Sequence, residues 1–169
     1  MRQDRGDLYR KLVAVLLALG GLVGIIIALT SETAMLSGSG RAFNTALMGL
    51  FACLFGFSGW TGVDLWRNKP HAFRWAQVLL VAQIPFISFP GFSYFFYTGM
   101  MLYLHLTWVA RITVGFQLQF GSAIHFGISS AIEGFAFGIN LVPVIALVLL
   151  GNTVHRETEH SPPPLPLSG

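Results

Sequence analysis

Apolar residues fall in four long runs, and an alternating stretch separates the third run from the fourth. The run 12–29 contains no charged residue. As a helix it measures about 27 Å, close to the roughly 30 Å hydrocarbon core of a bilayer. A signal peptide's apolar stretch is shorter, about 7–15 residues, and ends at a small-residue cleavage site. Thr30-Ser31-Glu32-Thr33 follows here instead, so an uncleaved first span is expected. The second run is 42–66, and a basic turn, Arg67-Asn68-Lys69-Pro70-His71, closes it. The third is 70–89, opened by a helix-starting proline, kinked at Pro85 and ended by Pro90-Gly91. The fourth spans 130–151, its apolar body 131–150 closed by Gly151-Asn152.

The stretch 92–129 has a different period. From Leu102 to Ile128 the even positions are apolar except Ser122, while the odd positions carry Tyr103, His105, Thr107, Arg111, Thr113, Gln117, Gln119 and His125. Period two is the signature of half-buried strands. Such a length needs a reversal. A three-residue loop at Gly121-Ser122-Ala123 would pair Phe120 with Ile124 and Leu118 with Phe126, keeping apolar side chains on one face. Val109–Arg111 and Gly115 are weaker turn sites. An open hairpin in lipid leaves edge amides unsatisfied, which places this element outside the hydrocarbon. The rival is a fifth helical span over 92–110. The predicted fold is therefore a mainly α membrane protein: a four-helix transmembrane bundle with an extramembrane β-hairpin between the third and fourth helices. Residues 1–11 form a cytoplasmic segment, and 155–169 a disordered, proline-rich tail.

Composition supports the membrane assignment. Of 169 residues 54 % are hydrophobic and 10 % charged, and mean hydropathy is +0.66. Soluble domains carry roughly 25 % charge. The net charge of +3 sits in clusters between the runs, which argues for membrane orientation and against nucleic-acid binding. Four spans put Arg2, Arg5, Arg10, Lys11, Arg67, Lys69, Arg74 and Arg156 inside, with Arg41 and Arg111 outside. Both termini are then cytoplasmic, in a plasma (inner) membrane. One cysteine, Cys53, excludes an internal disulfide and a cysteine-based zinc cluster. No phosphate-binding, dinucleotide-binding or hydrolase motif is present, and no cofactor is expected.

Three groups of polar residues are candidate sites. Asn140 and Gln83 lie deep in their runs at similar depth, where a direct amide–amide bond would act as helix glue worth about 0.6–2 kcal/mol. In that role Asn140→Leu would be nearly silent. His105, His125 and Glu133 could form an outer proton or metal site, although Ser130-x-x-Glu133 also reads as a capping box. Asp64 would pair with Arg67, three residues on, beside Lys69 and Arg74 in an inner basic cluster suited to anionic headgroups. Small residues at four-residue spacing (Gly20, Gly24, Ala28; Ala52, Gly56; Ser130, Gly134, Gly138) would let helices approach. The expected function is non-enzymatic: an assembly or partner-binding subunit, a homo-oligomer or bound to a membrane partner. A small-solute or ion transporter or channel is the alternative.

Overall fold

The computed structural model describes residues 2–35, 41–109, 111–127 and 134–159. Its elements are α1 (Arg2–Met35), α2 (Arg41–Trp66), α3 (Pro70–Ala82), β1 (Pro85–Phe89), β2 (Phe92–Trp108), β3 (Ile112–Gly127), β4 (Phe135–Asn140) and α4 (Leu141–Glu159). The four antiparallel strands form one sheet in the order β1-β4-β2-β3, with β1 also paired to β2.

The four-helix transmembrane bundle is not what forms. Among the described residues two helices are long and apolar enough to cross a membrane, Gly6–Thr30 and Thr45–Trp66. Helix α3 has 13 residues, about 20 Å. The apolar part of α4 is Leu141–Asn152, about 18 Å. Both fall short of the roughly 30 Å core.

Two local causes shorten them. Pro85 was expected to kink a helix but ends it: it has no N–H to give, and it pushes Ile84 out of helical geometry. The chain leaves α3 through bonds from Gln83 N–H to the Leu80 carbonyl (3.1 Å) and Ile84 N–H to the Val81 carbonyl (3.2 Å). Phe-Ile-Ser-Phe then extends as β1. Before α4, Phe135, Phe137 and Ile139 alternate with smaller residues, a period of two. This segment is β4, not the first turns of a helix. Pro143 consequently sits in the opening turn of α4, where proline is tolerated.

Phe92–Trp108 is strand, not the body of a fifth helix. The reversal lies between Trp108 and Ile112, which pair with each other. Gly121, Ser122 and Ala123 lie inside β3, opposite Gly99, Thr98 and Tyr97. Phe120 therefore meets Met100, and Ile124 meets Phe96. Either turn keeps like parities opposed, so the alternation alone could not choose between them. The Pro90-Gly91 dipeptide joins β1 to β2, with Gly91 at φ 94, as a tight turn with proline first requires. Helix α4 runs to Glu159, so the tail segment begins as helix; 160–169 lie outside the described residues.

Helices α1 and α2 pack antiparallel at very short range. A Cβ on Gly21 would stand 2.4 Å from Gly59 N, and one on Gly62 would stand 2.5 Å from Ala18 N. The close stripe is thus Ala18/Gly21 on Gly59/Gly62. Gly20 instead faces the sheet, where its Cβ would stand 2.3 Å from Gly99 N, and Gly138 belongs to β4. At one end the four helices share a core of Val13, Leu17, Leu65, Ala72, Ala76, Ala146 and Leu150. Toward the other end the sheet replaces the short helices: Phe96 packs with Phe51, Phe55 and Leu79. Ser122 Oγ donates to the Gly20 carbonyl (2.6 Å) and Ser58 Oγ to the Leu17 carbonyl (3.4 Å). The ribbon therefore meets α1 near the middle of its apolar span, not beyond its end.

Candidate functional site

The long β2–β3 ribbon presents two unlike faces. Near its base the even positions pack on helices: Phe96, Thr98 and Ser122 are buried. Farther out the even positions carry Leu104, Leu106, Trp108, Ile112, Val114, Phe116, Leu118 and Phe120. Their register partners on β4 are Phe135, Phe137 and Ile139. All of these are 40–72 % exposed. They form one continuous apolar face, a feature that marks an interaction surface. Among the described residues β3 is paired only on its β2 side. It contains no Lys, Arg, Asp, Glu or Pro, the residues that usually guard a sheet edge.

Behind the outer ribbon lies a cavity of about 290 Å³, lined in part by Phe86, Phe95, Tyr103, His105, Gln117 and Gln119. Odd positions build it: Tyr103 is opposite Gln117, Met101 opposite Gln119, and His105 opposite Gly115 on one side and Gly138 on the other. A side chain at 138 would press on the Leu104 carbonyl oxygen (2.9 Å), and one at 115 would push the imidazole aside. A Cβ at position 115 would stand 2.4 Å from His105 Nε2, and one at 138 would stand 3.0 Å from His105 Cβ. Phe86 meets Tyr103 edge-on (5.1 Å) and tilts against Phe95 (6.1 Å). Glycine inside a strand pattern signals a bulge or a close approach. That was the available cue for this site.

Asn140 and Gln83 are both buried, Asn140 at 0 % exposure. They do not bond to each other. β2 pairs with β1 through 92–94 and with β4 through 103–108, and the two amides serve the strand edge between. Thr98 N–H donates to Gln83 Oε1 (3.0 Å) and Leu102 N–H to Asn140 Oδ1 (3.0 Å). Val142 N–H also donates to Asn140 Oδ1 (3.3 Å), starting α4. Asn140 N–H reaches the Ile84 carbonyl (2.8 Å), tying the two helix–strand joints together. Both side-chain nitrogens are buried and have no hydrogen-bond partner among the described residues. The expected amide–amide bond fails because unpaired strand N–H groups are nearer and need acceptors more urgently.

The histidine site does not assemble. His105 and His125 lie ten register steps apart on the ribbon, since His125 pairs with Phe95; that is about 33 Å. His125 instead contacts Ser93 Oγ (2.7 Å) and stacks on Phe95 (5.3 Å). Glu133 and Ser130 lie outside the described residues. Among the described residues no three His, Cys, Asp or Glu side chains come together as a metal site.

The basic cluster forms with different partners. Asp64 is buried, and its carboxylate binds Lys69 Nζ (2.8 Å) and His71 Nε2 (3.0 Å) rather than Arg67. The helix end explains this. Asn68 takes φ 57, Lys69 N–H donates to the Asp64 carbonyl (3.0 Å), and Asn68 N–H donates to the Leu65 carbonyl (3.1 Å). This left-handed helix stop carries Lys69 back over Asp64. Arg67 and Arg74 are exposed. Lys69 Nζ lies 6.0 Å from the Trp60 ring and Lys11 Nζ 5.7 Å from Trp66. Asp7 joins this end through Arg10 and Lys11.

No protein-family model, curated protein or solved structure matches the chain.

Proposed function

We propose that the chain is a multi-pass membrane protein acting as a non-enzymatic assembly subunit, and that its first partner is a second copy of itself, joined edge to edge along β3. The observation that carries this is the unguarded β3 edge beside an exposed apolar face. Helices α1 and α2 cross the bilayer as a close-packed hairpin. The start of α1, the α2–α3 connection and the later part of α4 gather at one end, through Val13, Leu65 and Leu150. The basic residues Arg10, Lys11, Arg67, Lys69 and Arg74 at that end support reading it as the cytoplasmic side. The plasma membrane is the compartment this reading assigns.

With the ribbon meeting α1 near mid-span, strand backbone lies at membrane depth. That is tolerated only where the backbone is buried in protein or paired. Gln83 and Asn140 seal one edge of β2. The β3 edge needs another strand, and an antiparallel copy of β3 supplies one. When a residue pairs with its own symmetry mate, parity is preserved: apolar side chains of both copies share a face, and Gln117 and Gln119 share the other. The transport alternative would need water at Asn140, which is fully enclosed.

The test is a scan of single cysteines over 112–119 in a Cys53→Ser background, with the protein in lipid nanodiscs. Disulfide dimers at a few adjacent positions, with a dimer mass that Phe116→Lys abolishes, are expected. Monomer mass at every concentration and no cross-link at any position would overturn the proposal.

A further inference from the structure

The cavity on the polar face of the ribbon is not used by edge pairing, which leaves that face open. Its volume, about 290 Å³, sits at the small end of ligand pockets, roughly 300–1,000 Å³. Phe86 and Phe95 give it apolar, aromatic walls, while His105, Gln117 and Gln119 bring hydrogen-bonding groups to the same space. None of its lining side chains is Asp, Glu, Lys or Arg. A charged guest would lose hydration without a counter-charge, a cost a neutral guest avoids. Gln117 and Gln119 project from one face two residues apart on β3, about 7 Å. Each offers both a donor and an acceptor.

His105 adds specificity. Glycine stands opposite it on both neighbouring strands, and a Cβ at 115 would collide with the imidazole. The ring thus lies over backbone where any other residue would displace it, and its position depends on Gly115. A planar guest with one amide-like group matches this combination: its ring against Phe86 and Phe95, its donor and acceptor toward the two glutamines and the imidazole.

We propose that this cavity is a binding site for a small uncharged aromatic molecule bearing a carboxamide-type donor–acceptor group. The test uses 4-fluorobenzamide as probe and 4-fluorobenzoate as its charged isostere, read by fluorine NMR on the full chain in nanodiscs against protein-free nanodiscs. The expected result is saturable binding of the amide, at least tenfold tighter than the benzoate. Ala136→Leu, which fills the cavity from β4, and Gly115→Ala, which displaces His105, should each weaken the amide at least tenfold. Phe116→Lys, on the opposite face, should leave it unchanged whether or not the chain dimerises. Thermal melting of each variant separates lost binding from lost folding. Equal binding of amide and benzoate, no saturable amide binding, or undiminished binding by a folded Ala136→Leu chain would each overturn the assignment.

Discussion

At its base, near the Pro90-Gly91 turn, the β2–β3 ribbon sets its even-numbered side chains against α1 and α2; beyond Gly99 and Gly121 side chains of the same parity stand exposed. Phe96 belongs to the first half and Phe116 to the second. Both are aromatic, both occupy even positions, and one continuous register joins their strands. Binary pattern specifies which side chains share a face, but not what covers that face. In the first half the cover is intramolecular and contributes to folding. In the second no described residue covers it, and under the proposed assembly a change there should register in association instead.

The contrast can be tested from its largest expected effect downward. Phe96→Ala leaves a hole among Phe51, Phe55 and Leu79 and should cost about 3–5 kcal/mol, seen as a large drop in thermal midpoint in detergent. Gly20→Val forces a side chain onto the backbone of Gly99, itself at φ 82, and should cost about 3 kcal/mol by the same measurement. Asn140→Leu strips the acceptor from Leu102 and Val142 and should cost about 1–3 kcal/mol, with faster amide exchange at Leu102. This is far from the silence expected of simple helix glue. Phe116→Thr, in the outer half, should change the melting of the isolated chain by about 0.5 kcal/mol or less while weakening dimerisation. A Phe116→Thr penalty matching that of Phe96→Ala would erase the distinction between the halves.

Several features were legible in advance for physical reasons. Leu102–Ile128 reads as strand because no helix tolerates so long a period of two. The spans over 12–29 and 42–66 read as helix because their length and lack of charge leave little choice. The third and fourth runs misled because hydropathy does not distinguish a membrane helix from a short helix joined to an apolar strand. Pro85 and the Phe135/Phe137/Ile139 alternation were the local signals, and both are weak beside twenty apolar residues. The depth of Asn140 and Gln83 was visible as isolated polarity, but their partners were not. A strand edge that lacks a neighbour over 95–102 exists only once β1 and β4 have taken their places. His105 and His125 looked related because they are close in sequence; on a ribbon that reverses between Trp108 and Ile112 they occupy opposite ends.

The seal formed by Asn140 also bears on how the chain is made. Residue 140 emerges from the ribosome after both long helices and the whole β2–β3 ribbon, yet its carboxamide and backbone close the joint between α3 and the sheet. Until then the nascent ribbon carries an open seam beside Leu102. During that interval Gln83 alone can serve the exposed edge, at Thr98, and the Leu102 N–H waits for the acceptor that the later residue brings.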